Sequence, residues 1–216
     1  QETVLGGKEN GVSSYPQFNS PTEVGDAFMD SGFNLVSLAT NHTMDNYYIK
    51  GEKILKNSRN YWNDKEEKLG VIAAGSYLSN EEREKEKIGD INGIKYCFLS
   101  YTASSNGINP PKGKEYLVNT YSDAAVKKEV DYYKDKVDFV IVAMHWGSEY
   151  THNPTSQEKK IAKYLASIGV DIIIGAHPHV LQPIDFIDNT LVIYSLGNFV
   201  SSQGTEATAG LASLIG

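Results

Sequence analysis

The sequence predicts an α/β protein built on a largely parallel or mixed sheet with helices on its faces. Three observations predict it. Apolar runs suited to buried strands alternate with amphipathic, helix-like segments along the chain. Turn and cap signals punctuate that alternation at the places where elements must end. The length of 216 residues, 40% hydrophobic and 22% charged, suits one α/β domain spanning 1–216 with a sizeable core.

Ser20-Pro21-Thr22-Glu23 reads as a helix start. Ser20 is placed to cap, Pro21 suits the first helical position and Glu23 closes a capping box; the helix runs to Ser31 and Gly32 ends it. Phe33 to Ala39 is a buried strand, Asn46 to Asn63 a helix and Gly70 to Ala74 a short strand. The charge run Glu81 to Lys87 reads as a solvated helix or loop. Asn92-Gly93, between Ile88–Ile91 and Ile94–Ser100, is a hairpin turn, because both residues tolerate positive φ. Thr102 to Thr120, with Gly107, Pro110, Pro111 and Gly113, is a long loop of the kind that forms lids or rims. Ser122 to Lys134 is a helix, Asp138 to Met144 a strand, and Thr155 or Ser156 caps a helix whose Ile161, Ala162, Leu165 and Ile168 share a face. Val170 to Ile174 is a third buried strand. Val180–Ile187 and Thr190–Tyr194 pair across Asp188-Asn189, and Ala207 to Ile215 completes the set as a last strand.

The formal net charge of −7 argues against nucleic acid as a partner and against a basic patch on anionic lipid. The single cysteine, Cys97, lies in an apolar run and reads as a small core residue. The fourteen tyrosines are read as amphipathic residues at the edge of the core, with a polar groove as the alternative. No stretch has the length of a membrane span and no signal peptide is visible. The sequence starts at Gln1, as expected of a chain whose preceding residues, any anchor among them, have been removed.

Four of the five histidines follow apolar runs. Phe33–Ala39 leads through Thr40 into Asn41-His42, Phe139–Met144 leads into His145, and Ile172–Ile174 leads through Gly175-Ala176 into His177-Pro178-His179. Ligands of open α/β sheets bind beyond the carboxyl ends of the strands, so imidazoles delivered there point to a shared site. Imidazole with carboxylate or amide oxygen makes a mixed N/O set that accepts Mn, Fe or Zn. Gly175 and Ala176 allow close backbone approach, and Pro178 stiffens the loop. Glu149 and Tyr150 follow His145 closely and are candidates for substrate binding or for stabilising the rim. Asp45 either orients His42 or, the preferred reading, caps the following helix. His152 is solvated, Trp146 is groove wall or packing, and Ser195–Phe199 turns the chain, with Gly197 and Asn198 serving backbone geometry.

Four segments carry a resemblance: Leu38-Ala39-Thr40-Asn41-His42-Thr43-Met44-Asp45, Met144-His145-Trp146-Gly147-Ser148-Glu149-Tyr150, Gly175-Ala176-His177-Pro178-His179-Val180-Leu181-Gln182-Pro183 and Tyr194-Ser195-Leu196-Gly197-Asn198-Phe199. Together they resemble the bacterial CapA/PgsA family of poly-γ-glutamate capsule synthesis proteins, within the calcineurin-like metallophosphatase superfamily. The resemblance implies a sheet sandwich flanked by helices and a dinuclear centre of divalent ions. Asn41, His145 and His177 would hold one ion and His179 the other, Glu2 would bridge them, and His42 would protonate a leaving group or hold an oxyanion. The related pattern begins with a strand bearing an Asp ligand. No counterpart precedes Gln1, so the fold is expected to lack its first strand and metal occupancy to be partial or absent.

The implied function is poly-γ-glutamate capsule biosynthesis or assembly at the extracellular face of the membrane, with a metal-dependent hydrolase-like site. Its partners would be an anionic polymer such as poly-γ-glutamate or a phosphorylated intermediate, and membrane proteins of a capsule assembly complex. Lys50, Lys112 and Lys114 are candidates for holding a polyanion, though solvated lysines explain them as well. The alternatives are a non-catalytic polymer-binding scaffold and a metallophosphoesterase acting on small phosphoesters. Ligating imidazoles must be unprotonated, so acid is expected to weaken metal binding.

Overall fold

A computed structural model describes residues 1–201 and 203. The expected strand at 207–215 lies outside them. The chain forms two compact units: Gln1–Gly89 with Ser100–Thr120, and Asp90–Leu99 with Tyr121 onward.

The first unit contains α1 (Glu23–Asp30), β1 (Leu35–Ser37), α2 (Tyr47–Lys50), α3 (Lys53–Leu69), β2 (Ile72–Ala74) and α4 (Asn80–Arg83). Strands β1 and β2 pair in parallel with Leu35 opposite Ile72 and Ser37 opposite Ala74. One apolar cluster joins Leu5, Val36, Leu38, Trp62, Val71 and Ala73, and a second joins Val4, Met44, Tyr47, Ile54, Leu55, Leu117 and Val118. Helix α3 therefore buries Leu55 and Ile54 at one end and Trp62 two turns later.

Several local expectations are corrected here. Helix α1 starts at Glu23 with no side-chain cap, because the Ser20 hydroxyl is engaged by Thr3 Oγ1 at 2.8 Å. The first strand is only Leu35–Ser37; Phe33 is exposed and packs edge-on to Phe28. The predicted helix from Asn46 to Asn63 is broken at Gly51, whose φ of 80° no helix accommodates, and then continues to Leu69. The charge run is not simply solvated. Lys87 is buried, its ammonium donating to the carbonyls of Arg83 and Lys85, and Glu82 accepts from Arg59 Nε at 2.7 Å. Arg59, also buried, spends its other nitrogens on Glu66 Oε2 and the Ala73 carbonyl, each at 2.7 Å.

The chain then runs through β3 (Ile88–Ile91), β4 (Ile94–Thr102), α5 (Asp123–Tyr133), β5 (Phe139–His145), α6 (Ser156–Ser167), β6 (Ile172–Ala176), β7 (Ile184–Ile187) and β8 (Thr190–Ile193). These strands form a mixed sheet in the order β3-β4-β5-β6-β8-β7. The hairpin at Asn92-Gly93 forms as expected, with φ of 55° and 86°. Ser122 caps α5 by accepting from the Ala125 amide, and Thr155 and Glu158 cap α6 reciprocally, so these boundaries follow from four-residue signals. Cys97 is fully buried, which pushes its thiol up to about 12 and suits a structural residue.

Strands β5, β6 and β8 are parallel neighbours. The β5–β6 register sets His145 opposite Ala176. That register brings the last residue of β5 level with the residue before His177. Two separately predicted strand–histidine junctions thus share one sheet edge.

Candidate functional site

In the second unit, the loop after β5 and the loop after β6 are laced together by their backbones. The Trp146 amide donates to the Ala176 carbonyl at 3.0 Å, and the Tyr150 amide to the Pro178 carbonyl at 2.8 Å. Gly175 makes this close approach possible. A Cβ there would sit 1.9 Å from the Tyr194 carbonyl oxygen and 2.6 Å from Trp146 Nε1. Trp146 is packing: it is buried, stacks near Tyr194 and donates its indole N–H to the Tyr194 carbonyl at 3.0 Å. Burial first, then the negative charges of Asp185 and Glu158, raises the Tyr194 phenol above its ordinary value.

On this floor the imidazoles gather. The rings of His145 and His177 are 4.8 Å apart and those of His177 and His179 are 5.9 Å apart. Single donor atoms from Glu149, His177 and His179 all lie within 4.8 Å of one another. Tetrahedral donors about 2.0–2.2 Å from one ion stand roughly 3.4 Å apart, so the three side chains would draw closer together to hold one. Two imidazole nitrogens and a carboxylate oxygen fit a divalent first-row metal. Tyr150 lies over His179, ring to ring at 5.9 Å and 28°, and its hydroxyl accepts from Gln203 Nε2 at 3.2 Å.

The backbone here is held in a rare conformation. Tyr150, His177 and His179 have φ of 60°, 99° and 61°. Positive φ in non-glycine residues costs on the order of 1–3 kcal/mol each and persists only where the surroundings enforce it. The two loop-crossing hydrogen bonds and the packed Trp146 supply that enforcement, and the turned backbone sets His177 beside His179 and Tyr150 over it.

Asn41, His42 and Glu2 belong to the first unit. Thr43 closes a tight turn after β1, its hydroxyl donating to the Leu38 carbonyl at 2.7 Å and accepting from the Thr40 amide at 2.8 Å. The turn presents Asn41, whose Nδ2 donates to Asn106 Oδ1 at 3.3 Å, and His42. His42 is buried, packs edge-on against Phe18 at 4.6 Å, and bonds through Nδ1 to Asp45 Oδ2 at 2.7 Å. Asp45 therefore orients His42 and does not cap the helix. Its Oδ2 also accepts from the Phe18 amide at 2.6 Å, and Asn46 takes the position before α2 without a side-chain cap. Beside His42 lies a cavity of about 20 Å³, lined by Thr40, Thr43, Ser58, Arg59 and Ser76 among others, large enough for one water. Glu2 is half-buried, and the nitrogen of its neighbour Gln1 donates to the Ser37 carbonyl at 3.3 Å.

His152 is exposed, as expected, and its Nδ1 lies 3.0 Å from the Leu181 carbonyl. Lys114 pairs with Glu52 and Lys50 donates to the Gly11 carbonyl. Asn198 is not a turn residue alone, since its Oδ1 lies 2.9 Å from His179 Nδ1. Sequence reasoning missed that partnership because it spans nineteen residues and two turns. The only local signal was Gly197, whose φ of 65° swings the chain at that point.

Two solved structures share the fold. A hypothetical protein from Thermus thermophilus matches with TM-score 0.52 at 18% identity, over 81% of this chain and 57% of that one. A Staphylococcus aureus protein described as a 5′-nucleotidase and solved with α-ketoglutarate matches with TM-score 0.51 at 16% identity, over 81% of this chain and 34% of that one. The fold is thus of the α/β class, a mixed sheet flanked by helices, that these two structures share. Within that class the particular family follows from the sequence: the model for the bacterial capsule synthesis protein PGA_cap matches residues 1–203, and the chain belongs to that family. Its relatives include the PGA biosynthesis protein CapA of Bacillus subtilis, 32% identical over 83% of this chain and 45% of that protein. The capsule biosynthesis protein CapA of Bacillus anthracis is 33% identical over 84% of this chain and 43% of its own length. The chain therefore spans a little under half the length of these curated relatives. No helix among the described residues is long and apolar enough to cross a membrane.

Proposed function

We propose that this chain carries a metal-dependent hydrolase-like site that serves poly-γ-glutamate capsule biosynthesis or assembly at the outer face of the cell membrane. One observation carries the reading: donors from His177, His179 and Glu149 converge in a chain of the PGA_cap family. The names of both CapA relatives, PGA and capsule biosynthesis, support the choice of pathway.

In this reading His177, His179 and Glu149 would hold a divalent cation, with His145 of the same unit a further ligand that the family resemblance assigns. Such a cation, when bound, polarises a phosphoryl or carbonyl oxygen and lowers the pKa of a bound water. The chain's own residues do the remainder. Tyr150, on the exposed rim over His179, offers a ring and a hydroxyl to the substrate. Asp45 holds Nδ1 of His42, which leaves Nε2 as the atom that takes up or delivers a proton. A chain of net charge −7 repels a polyanion unless local cations offset it, so the metal is also the means of holding poly-γ-glutamate or a phosphorylated intermediate.

The test pairs elemental analysis with cleavage assays on wild type, a His177→Ala/His179→Ala double variant and a His152→Ala control. Bound Zn²⁺ or Mn²⁺ and shortening of poly-γ-glutamate, both lost in the double variant alone, are expected. Absence of stoichiometric metal from the wild type under saturating Zn²⁺ and Mn²⁺ overturns the reading. Cleavage confined to small phosphodiesters moves the substrate to that class, and metal-independent polymer binding without cleavage makes the chain a scaffold.

A further inference from the structure

Asn198 sits at the end of a braced turn. The Leu196 amide donates to the Gly175 carbonyl at 3.2 Å, and Leu196 bridges antiparallel to Leu181, two residues beyond His179. The Ser195 hydroxyl accepts from the Gly197 amide at 3.1 Å, and Gly197 takes φ of 65°, which a side chain rarely accepts. The next residue is thereby aimed at the imidazole of His179, with Asn198 Oδ1 2.9 Å from Nδ1.

The network continues from Asn198 through Gln203 to Tyr150. Asn198 Nδ2 donates to Gln203 Oε1 at 2.8 Å, and Gln203 Nε2 donates to the Tyr150 hydroxyl at 3.2 Å. The Ser201 hydroxyl also donates to Gln203 Oε1, at 3.4 Å. As placed, Asn198 presents its carbonyl oxygen to His179 Nδ1 and its amino group to Gln203, and a carbonyl only accepts. The proton of neutral His179 then resides on Nδ1. Nε2 keeps its lone pair, as a metal donor must. The reverse arrangement, Asn198 Nδ2 facing the ring, places the proton on Nε2 and blocks that nitrogen.

We infer that Asn198 is a positioning residue: through its Oδ1 it fixes His179 as the Nδ1–H tautomer, leaving Nε2 for a divalent cation held with His177 and Glu149. Gln203 accepts from the Asn198 amino group, and Tyr150, bonded to Gln203 and lying over His179, closes the same network around the ring. The cation half of this inference rests on the proposed metal site; the tautomer half does not. Tautomer-fixing partners of metal-bound histidines typically change affinity about 10–100-fold when removed.

The two halves are separated by experiment. Histidine-¹⁵N-labelled, chelator-treated protein is examined by long-range ¹H–¹⁵N correlation at pH 8, with His179 assigned by difference against His179→Gln. The wild type is expected to show a protonated Nδ1 and a bare Nε2. Asn198→Ala is expected to revert towards the Nε2–H form that free histidine prefers, and Asn198→Asp, which keeps an acceptor, to retain Nδ1–H. Zn²⁺ titration calorimetry is expected to give affinity about 10–100-fold weaker for Asn198→Ala, with Asn198→Asp restored to within a few-fold of wild type. Nε2–H in the wild type, or a His179 tautomer and Zn²⁺ affinity both unmoved by Asn198→Ala, overturns the inference. If Asn198→Ala does not fold, the wild-type and Asn198→Asp spectra still decide it. Failure of the wild type to bind Zn²⁺ refutes the metal site, and the tautomer of the metal-free ring is read independently of that result.

Discussion

Replacing Gly175 by alanine adds one methyl group at the point where the sheet meets the candidate site. The new Cβ lies 1.9 Å from the Tyr194 carbonyl oxygen, 2.6 Å from the Tyr194 carbonyl carbon and 2.6 Å from Trp146 Nε1. Two of those atoms are backbone, so no side-chain rotation relieves the clash. The chain at Tyr194 must retreat by roughly 1.5 Å to reach an ordinary contact, and overpacking of this kind costs about 1–3 kcal/mol. The retreat also parts the buried Trp146 N–H from its acceptor, the Tyr194 carbonyl at 3.0 Å. An orphaned buried donor costs about 1–3 kcal/mol more, so the expected loss is about 2–6 kcal/mol. Urea unfolding followed by tryptophan fluorescence measures it, because Trp146 is itself at the clash. At a typical slope of about 2 kcal/mol/M the midpoint falls by roughly 2 M. The contrasting case is Gly25→Ala in α1, where the added Cβ would lie 2.4–2.6 Å from the Tyr61 ring, a side chain and not backbone, so the clash is relieved if that ring moves. A Gly175→Ala protein within about 1 kcal/mol of wild type, with unchanged Zn²⁺ affinity, refutes the idea that the missing side chain lets β6 and the Tyr194 segment approach.

Two further outcomes follow from the first unit. Asp45→Ala leaves His42 Nδ1 and the Phe18 amide without their shared acceptor and is expected to cost about 2–3 kcal/mol in urea unfolding; a loss under about 0.5 kcal/mol means that Asp45 does not hold His42. Burial alone would raise the Glu82 carboxyl, but hydrogen bonds from Arg59 and the Leu78 amide outweigh it and hold the group below its ordinary value of 4.5. A carboxylate lowered in the folded state adds stability that is fully present above pH 4.5 and is lost as pH falls through the folded value. Glu82→Gln is therefore expected to cost about 2 kcal/mol at pH 7 and to converge on wild type as pH falls through and below the folded value; a difference that does not shrink in acid counts against the ion pair.

Much of the framework was legible because its signals are local. The reciprocal cap of Thr155 and Glu158 and the Asn92-Gly93 hairpin each need only neighbours within one turn of chain. The position of His145 and His177 behind apolar runs was legible for the same reason. Local signals also misled. Ser20 had the right neighbours for a cap, but its hydroxyl was taken by Thr3, seventeen residues earlier. Lys87 looked solvated within its charge run, yet carbonyls of the same loop and the ring of Tyr77, 4.8 Å from its ammonium, enclose it.

The sequence by itself determined the alternation of elements, the family, and the chemical kinds of donor offered at the ends of β5 and β6, because periodicity, caps and motifs are written in adjacent residues. Only the tertiary structure decided which partner each donor keeps: Asp45 for His42, Asn198 for His179, and Glu149 alongside His177 and His179. It also decided the positive φ that turns Tyr150, His177 and His179 to their places. Those choices depend on strand register and on hydrogen bonds between loops far apart in the chain, which no local pattern of side chains encodes.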